Sequence, residues 1–372
     1  MFRSTRTERT GLMNSLILIA AGGTGGHVFP GLAVAEEIMA RHEDARVEFV
    51  GSTAPLGLER RIIPKTGFGL RLLPVYPLNA ISIGARIKGI LALPWGLLSA
   101  LALLLRNRPR AVLGIGGYAS GPVVLVASLL RIPSLLLEPN AVPGFTNRML
   151  RPFVRHAACA FEATLPLFGG KGVLTGNPVR ASFATIPAKT HEKPLRLLCF
   201  GGSQGSRVLS EALVKALPDL PGEGTLTIVH QTGPSQLEPI RAAYQAAGRA
   251  ATVTAFIEDM SLAFGQADLI VCRAGATTLA ELTVAGKAAI LVPLAAAAED
   301  HQTWNARALV DSGAALMLAE GELDQLARVV CELVANPQRI TALESGARNL
   351  GRKDAAARVV DLMDPWMGRA AA

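Results

Sequence analysis

Short, unbroken apolar runs alternate with longer amphipathic stretches along most of the chain. The runs read SLILIAA, VEFVG, AVLGIGG and SLLLEPN in the first half and RLLCFGG, TIVHQTG, LIVCRAG and AAILVP in the second. A strand with one wet face alternates apolar and polar residues, whereas a strand covered on both faces stays apolar throughout. The pattern therefore predicts an α/β chain of parallel sheets wrapped by helices. It also repeats. Residues 16–33 read strand, Gly-Gly-Thr-Gly-Gly, helix, and residues 195–212 read strand, Gly-Gly-Ser-Gln-Gly, helix. Each has the form of the opening βα unit of a doubly wound domain. A chain of 372 residues is roughly twice the usual domain size, so two Rossmann-like doubly wound domains facing across a cleft are expected. The division places an extension at residues 1–12, a first domain at 13–187, a linker at 188–194 within the polar stretch TIPAKTHEKPLR, a second domain at 195–351, and a last segment at 352–372.

One stretch departs from this scheme: ISIGARIKGILALPWGLLSALALLLRNRPR, residues 81–110. Between Lys88 and Arg106 lie 17 uncharged residues, interrupted by Pro94 and Gly96, which is barely a membrane span. Three readings stay open: a transmembrane helix, two ordinary helices with Pro94 at their boundary, or a membrane-surface patch. The last would use apolar Ile81, Ile83, Ile87, Ile90 and Trp95, flanked by Arg86, Lys88, Arg106, Arg108 and Arg110. Arg3, Arg6 and Arg9 before an apolar run sketch a secretory signal, but that run flows straight into the glycine turn, and cleavage there would remove the first strand.

Composition narrows the partners. Hydrophobic residues make up 50% and charged residues 18%, which supports large cores and excludes disorder. The 37 basic against 29 acidic residues give +8, a balance that suits a nucleotide or an anionic lipid surface. Aromatics are 5% and are not interleaved with Lys and Arg, so no nucleic acid is expected. Cys159, Cys199, Cys272 and Cys331 lie far apart with no CxxC spacing; they read as reduced thiols, with no disulfide and no zinc site.

A glycine turn leading from a strand end into a helix lets a ligand approach the backbone, and the N–H groups of the helix start attract phosphate. GGTGGH matches neither the dinucleotide fingerprint nor the P-loop. His27 follows the last glycine and precedes Pro30, a residue favoured at the first helical position. At a helix N-terminus the imidazole is held neutral and able to accept a proton, or it merely caps the turn. In CRAGATTLAEL, Thr278 and Glu281 have capping-box spacing. The alternative is that Ala276, Thr277, Thr278, Leu279, Ala280 and Glu281 offer a helix start to phosphate, with the Glu281 carboxylate accepting from a ribose diol. Gln302, in EDHQTWNA, stands where an amide can contact a sugar. No HExxH or acidic–histidine metal cluster occurs, so metallohydrolase chemistry has no support, and serine hydrolase chemistry is not expected.

Together, GGTGGHVFPGLAVA, GIGGYASGP, TGNPVR, FGGSQGSR, HQTG, FIEDM, CRAGATTLAEL and EDHQTWNA resemble, in order and in register, the MurG family of bacterial transferases. That resemblance implies a GT-B fold with a closing helix after about residue 352 returning to the first domain. It implies an inverting transfer of N-acetylglucosamine from UDP-N-acetylglucosamine to the C4 hydroxyl of undecaprenyl-diphospho-N-acetylmuramoyl-pentapeptide, lipid I, with no cofactor and no metal. The enzyme would sit peripherally on the cytoplasmic face of the bacterial inner membrane, and the surface-patch reading of residues 81–110 gains from it. The resemblance further implies donor contacts at Ser203, Ile257 near the uracil, residues 276–281 and Gln302. Thr24, Gly25 and Gly26 would close over the donor or the acceptor diphosphate, Asn140 and Arg180 would complete the site, and His27 would be the base. Two departures stand out: Leu137 and Pro139 flank Glu138 where the family often shows His and Gln, and PLAAAAEDHQ lacks a proline and histidine often found before its acidic pair. A related GT-B glycolipid transferase, a non-enzymatic nucleotide-sugar binder and a UDP-sugar epimerase are the competing readings.

Overall fold

The computed structural model describes residues 15–54, 57–76, 83–295 and 300–367. The expectations for residues 1–12, for Ile81 and for the side chains of Ile83, Arg86, Ile87, Lys88 and Ile90 lie outside the described residues and atoms. The first half runs β1 (Ser15–Ala21), α1 (Gly25–Arg41), β2 (Ala45–Ser52), α2 (Glu59–Ile62), β3 (Gly69–Leu73), α3 (Ile83–Asn107), β4 (Ala111–Gly116), α4 (Gly117–Leu129), β5 (Ser134–Glu138), α5 (Phe145–Leu150), β6 (His156–Cys159), α6 (Leu165–Phe168), β7 (Gly172–Leu174) and α7 (Ala181–Ala184). The second runs β8 (Leu195–Phe200), α8 (Arg207–Ala216), β9 (Leu226–Gln231), α9 (Leu237–Ala246), β10 (Thr252–Thr254), α10 (Met260–Gln266), β11 (Leu269–Cys272), α11 (Ala276–Ala285), β12 (Ala289–Leu291), α12 (His301–Val310), β13 (Leu316–Met317), α13 (Leu326–Ala335), α14 (Pro337–Leu350) and α15 (Ala355–Met367).

The strands form two parallel sheets, ordered β3-β2-β1-β4-β5-β6-β7 and β10-β9-β8-β11-β12-β13. Each contains the 3-2-1-4-5-6 order of a dinucleotide-binding fold, whose crevice lies beyond the strand C-termini where the order reverses. Here those switch points are the β1/β4 and β8/β11 pairs. Strand alternation explains the unbroken apolar runs. Ile17 and Ile19 of β1 face one core with α1 and α15, while Leu16, Leu18 and Ala20 face another with α3 and α4. In the second sheet Leu197 and Cys199 go one way and Leu198 and Phe200 the other.

α15 crosses back to the first sheet. Val359, Val360 and Met363 are fully buried beside Ile17, Val34 and Ile38. Arg41 meets Asp361 at 2.6 Å, His42 meets Asp364 at 2.9 Å, and Trp366 stacks on His156. The polar stretch before β8 is pinned to the second sheet: Lys189 and His191 both reach buried Asp268, at 2.6 and 2.9 Å, and His191 also reaches Glu344 at 3.3 Å.

The segment after residue 81 corrects the two-helix reading. α3 is one helix of 25 residues with Pro94 inside it. Among the described residues no helix is long and apolar enough to cross a membrane.

Truncating a fully buried Met side chain costs about 2–5 kcal/mol. Met363→Ala is therefore expected to lower the guanidinium midpoint by a corresponding amount at unchanged slope. An unchanged midpoint would mean that α15 contributes nothing to the first core.

Candidate active site

The first glycine turn sits at the end of β1, on the switch point. Thr24 is the extended residue before α1, and Gly25 and Gly26 are its first two helical residues, so their N–H groups have no partner within the helix. Beneath the turn lies Glu59, fully buried, which accepts the N–H of Gly23 at 2.9 Å and of Ser52 at 3.1 Å. Gly117, at φ +74°, closes the turn from the β4 side; a Cβ there would stand 2.4 Å from the carbonyl oxygen of Gly22.

His27 is the third residue of α1. Its Nδ1 lies 3.1 Å from the Gly22 carbonyl oxygen and 3.4 Å from Thr24 Oγ1. A carbonyl only accepts, so Nδ1 carries the proton and Nε2, beside Gly116, carries the lone pair. Burial lowers the pKa of His27, against the raising effects of the Gly22 carbonyl and the Glu59 charge. The imidazole is thus held neutral at the end of the strand. Pro30 is corrected: it is the sixth residue of α1, not the first. Having no N–H, it leaves the Gly26 carbonyl without its helical donor, and Thr277 Oγ1 from the second domain donates there at 3.4 Å.

The second glycine turn differs. Its helix starts later, with Ser206 as a side-chain cap for Leu209 N–H, and exposed Ser203 stands at the turn's tip. Arg273, buried at the end of β11, donates to Ser206 Oγ and to the carbonyls of Val292 and Pro293, and pairs with Glu320 at 2.7 Å.

α11 begins beside β11 with Gly275 as an uncapped N-cap. The capping-box reading of Thr278 and Glu281 is thereby overturned: Thr278 is the third helical residue, and Glu281 turns away to Arg180, 3.2 Å off. The N–H groups of Ala276, Thr277 and Thr278 are those a helix start leaves open. Leu279 is corrected as well. Its side chain is in the core and its N–H bonds to the Gly275 carbonyl, so it has nothing to offer a ligand. Ala280 is half-buried on the following turn. Burial pushes the Glu281 carboxyl up to about 7, opposed by Arg180. The Arg180 guanidinium lies 4.8 Å over Phe29 of α1 and 4.9 Å over Phe183 of α7, whose ring is buried in the second sheet's core, so with Glu281 it joins α1 to that core.

At the end of β5, buried Glu138 accepts the N–H groups of Asn140 and Gly144 and the side chains of Asn140 and Asn147, all within 3.2 Å. Burial raises its pKa against those bonds. Asn140 in turn meets Asn305 of α12, whose Nδ2 lies 3.1 Å from Asn140 Oδ1 and whose Oδ1 accepts the Ala141 N–H at 2.8 Å. Gln302, one turn earlier on α12, accepts from Leu294 N–H.

A cavity of about 830 Å³ joins these parts. Of the residues singled out from sequence, Thr24, Gly26, His27, Asn140, Ala276 and Gln302 line it. Gly25, Arg180, Ser203, Ile257, Thr277, Thr278, Leu279, Ala280 and Glu281 are not among its lining residues, and Ile257 packs half-buried on the second core. Glu59, Arg273 and Asn305 were missed. In sequence, Glu59 is one charge in LERR and Asn305 one polar residue in a helix; their burial comes from chain brought in from far away.

Residues 17–159 match the glycosyltransferase family 28 N-terminal domain and residues 196–359 its C-terminal domain. The chain is 46% identical to the UDP-N-acetylglucosamine--N-acetylmuramyl-(pentapeptide) pyrophosphoryl-undecaprenol N-acetylglucosamine transferase of Myxococcus xanthus, over 93% of this chain and 91% of that one. It is likewise 46% identical to the transferase of the same name from an Anaeromyxobacter species, over 93% and 92%. The crystal structure of Acinetobacter baumannii MurG superposes with a TM-score of 0.75 at 34% identity, covering 94% of this chain and 99% of that one. Two facing Rossmann-like domains of this kind constitute the GT-B fold, and with these likenesses the chain belongs to glycosyltransferase family 28 and, within it, to the MurG family.

Proposed function

We propose that the chain moves N-acetylglucosamine from UDP-N-acetylglucosamine to undecaprenyl-diphospho-N-acetylmuramoyl-pentapeptide, converting lipid I to lipid II in peptidoglycan synthesis. The names of its relatives supply the substrates. The observation that carries the chemistry is one cavity bordered by a neutral histidine, with Nε2 unprotonated, and by the open start of α11.

In this reading the acceptor's C4 hydroxyl lies against His27, whose Nε2 takes its proton as the oxygen attacks the anomeric carbon in a single inverting displacement. UDP departs toward the N–H groups of Ala276, Thr277 and Thr278, where backbone dipoles already point at the developing charge. Ser203 and Ile257 hold the nucleotide end, Gln302 the sugar, and Glu281 the ribose, with Oε1 on Arg180 and Oε2 on the diol. Thr24, Gly25 and Gly26 take a diphosphate, and Asn140, fixed by Glu138, borders the reacting sugars. On either side of the linker at 188–194, the first sheet with the returning α15 would thus serve the acceptor and the second sheet the donor. Leu91, Trp95 and Leu98 of α3 are exposed, with Arg106 and Arg108 at its end. This face suits peripheral attachment to the anionic cytoplasmic leaflet of the bacterial plasma membrane.

Transfer of labelled N-acetylglucosamine to a lipid I analogue, with EDTA present, tests the reading directly. His27→Ala is expected to lower kcat by a factor of about 10²–10⁴ with donor binding retained. Because the His27 pKa is lowered, the acid limb of the wild-type kcat/KM profile for the acceptor, taken at saturating donor so that Glu281 is already engaged, should fall below the ordinary 6.5 of imidazole; a limb above 6.5 under that condition would exclude His27 as the base. Donor affinity measured without acceptor should weaken as pH falls through about 7, because Glu281 then gains its proton, and Glu281→Gln should flatten that dependence. Glu59→Ala leaves the buried Ser52 N–H unpaired, a loss of about 1–3 kcal/mol, and frees the half-buried Gly23 N–H as well. It should lower both the melting temperature and the acceptor's kcat/KM while donor affinity, borne by the other domain, holds.

A further inference from the structure

The cavity at the site has two chemically different ends. Toward the cleft it is bordered by Gly23, Thr24, His27 and Asn140. Away from the cleft its walls are Val75 after β3, Leu93 and Leu97 of α3, Leu125 of α4, and Met149 and Phe153 in and after α5. Among the described residues of the lining Glu138 is the only Asp, Glu, Lys or Arg, and its oxygens are taken by Asn140, Gly144 and Asn147. The branch opens beside Met149 and Phe153, which line it and are themselves 60% and 42% exposed.

An amphiphile fits this gradient if its hydrocarbon begins at the diphosphate. In a polyprenyl diphosphate sugar the first carbon of the lipid is bonded to a phosphate oxygen. Once the diphosphate rests on the glycine turn, the next atoms along the molecule are apolar and need an apolar wall. A purely aqueous ligand would leave leucine and methionine side chains facing water at the site's own threshold.

We propose that the branch between α3, α4 and α5 is a prenyl-binding channel, which draws the first isoprenoid units of the acceptor out of the bilayer and into the protein. This rests on the acceptor assigned above and extends it: the enzyme grips the lipid stem as well as the head group. The exposed end of the channel passes the remaining chain to the membrane.

The test uses two water-soluble acceptors with the same muramoyl-pentapeptide diphosphate head, one ending in a methyl group and one in two prenyl units, assayed with no membrane or detergent. Each buried methylene contributes roughly fourfold in affinity, so the wild type should show an acceptor KM at least about tenfold lower for the prenyl compound. Gly121→Leu and Leu125→Trp, which fill the channel from α4, should bring the ratio of the two KM values close to one; a Cβ at Gly121 has its nearest neighbour at 3.8 Å, leaving room for the added side chain to start. UDP-N-acetylglucosamine affinity in the same preparations reports that the variants are folded. Equal KM values for both acceptors in the wild type, or a ratio undiminished in both folded variants, would overturn the channel while leaving the reaction standing. Turnover of neither acceptor would overturn the reaction and the channel together.

Discussion

The side chain of Asn305 is the contact on which the geometry of the cleft depends. It is fully buried, and its two ends join chain segments more than 130 residues apart: Ala141 and Asn140 after β5, and the Ala274 carbonyl before α11. Each sheet arranges its own switch point through strand order, but nothing in either sheet sets the distance between the two. A carboxamide does this without a buried charge, whose desolvation costs several kcal/mol per ion. It is also exacting, since an amide withdrawn from Ala141 leaves an N–H unpaired in the interior. The same seam holds the Thr277 hydroxyl on the Gly26 carbonyl, an acceptor that exists because Pro30 cannot donate to it. Proline in the second turn of α1 thereby serves the interface instead of starting the helix.

Three buried glutamates divide the remaining labour. Glu59 and Glu138 are structural brackets, each gathering N–H groups of a loop that must hold one shape. Their loops contain Gly23 and Asn140, so two stretches of the cavity wall are held in place by buried carboxylates. Glu281 differs, because its single cationic neighbour Arg180 does not fully offset burial, and its carboxyl stays near the midpoint of titration at neutral pH. A carboxyl poised near 7 suits a group that would take its further partner from a bound substrate.

The apolar runs made both parallel sheets legible, because strands buried on two faces cannot alternate. The duplicated glycine turns located both switch points for the same reason: backbone must come close to backbone there, as Gly117 does to the Gly22 carbonyl. What sequence could not carry was anything decided by segments distant in the chain. Glu281 had capping-box spacing, yet Arg180 from 101 residues earlier claimed it. Leu279 sat inside a phosphate-facing motif, yet helical geometry turned it into the core. Glu59 and Asn305 carried no local signal at all, since a polar side chain becomes a bracket only when folding removes its water and supplies partners.

α3 was the hardest segment to read, and its position explains the difficulty. A helix apolar on every side usually belongs in a core, and proline in its middle usually ends it. Neither holds here. Gly96 lets the helix close against Val75, where a Cβ would stand 2.7 Å from Val75 Cγ1, while Leu93 and Leu97 turn to the cavity and Leu91, Trp95 and Leu98 turn outward. Apolar area left in water forgoes about 25 cal/mol per Å², so a helix dressed this way on its outer face is matched to a surrounding that is not water alone. Under the proposed channel its two apolar faces would answer one requirement: the inner would meet the start of the acceptor lipid and the outer the membrane that holds the rest of it.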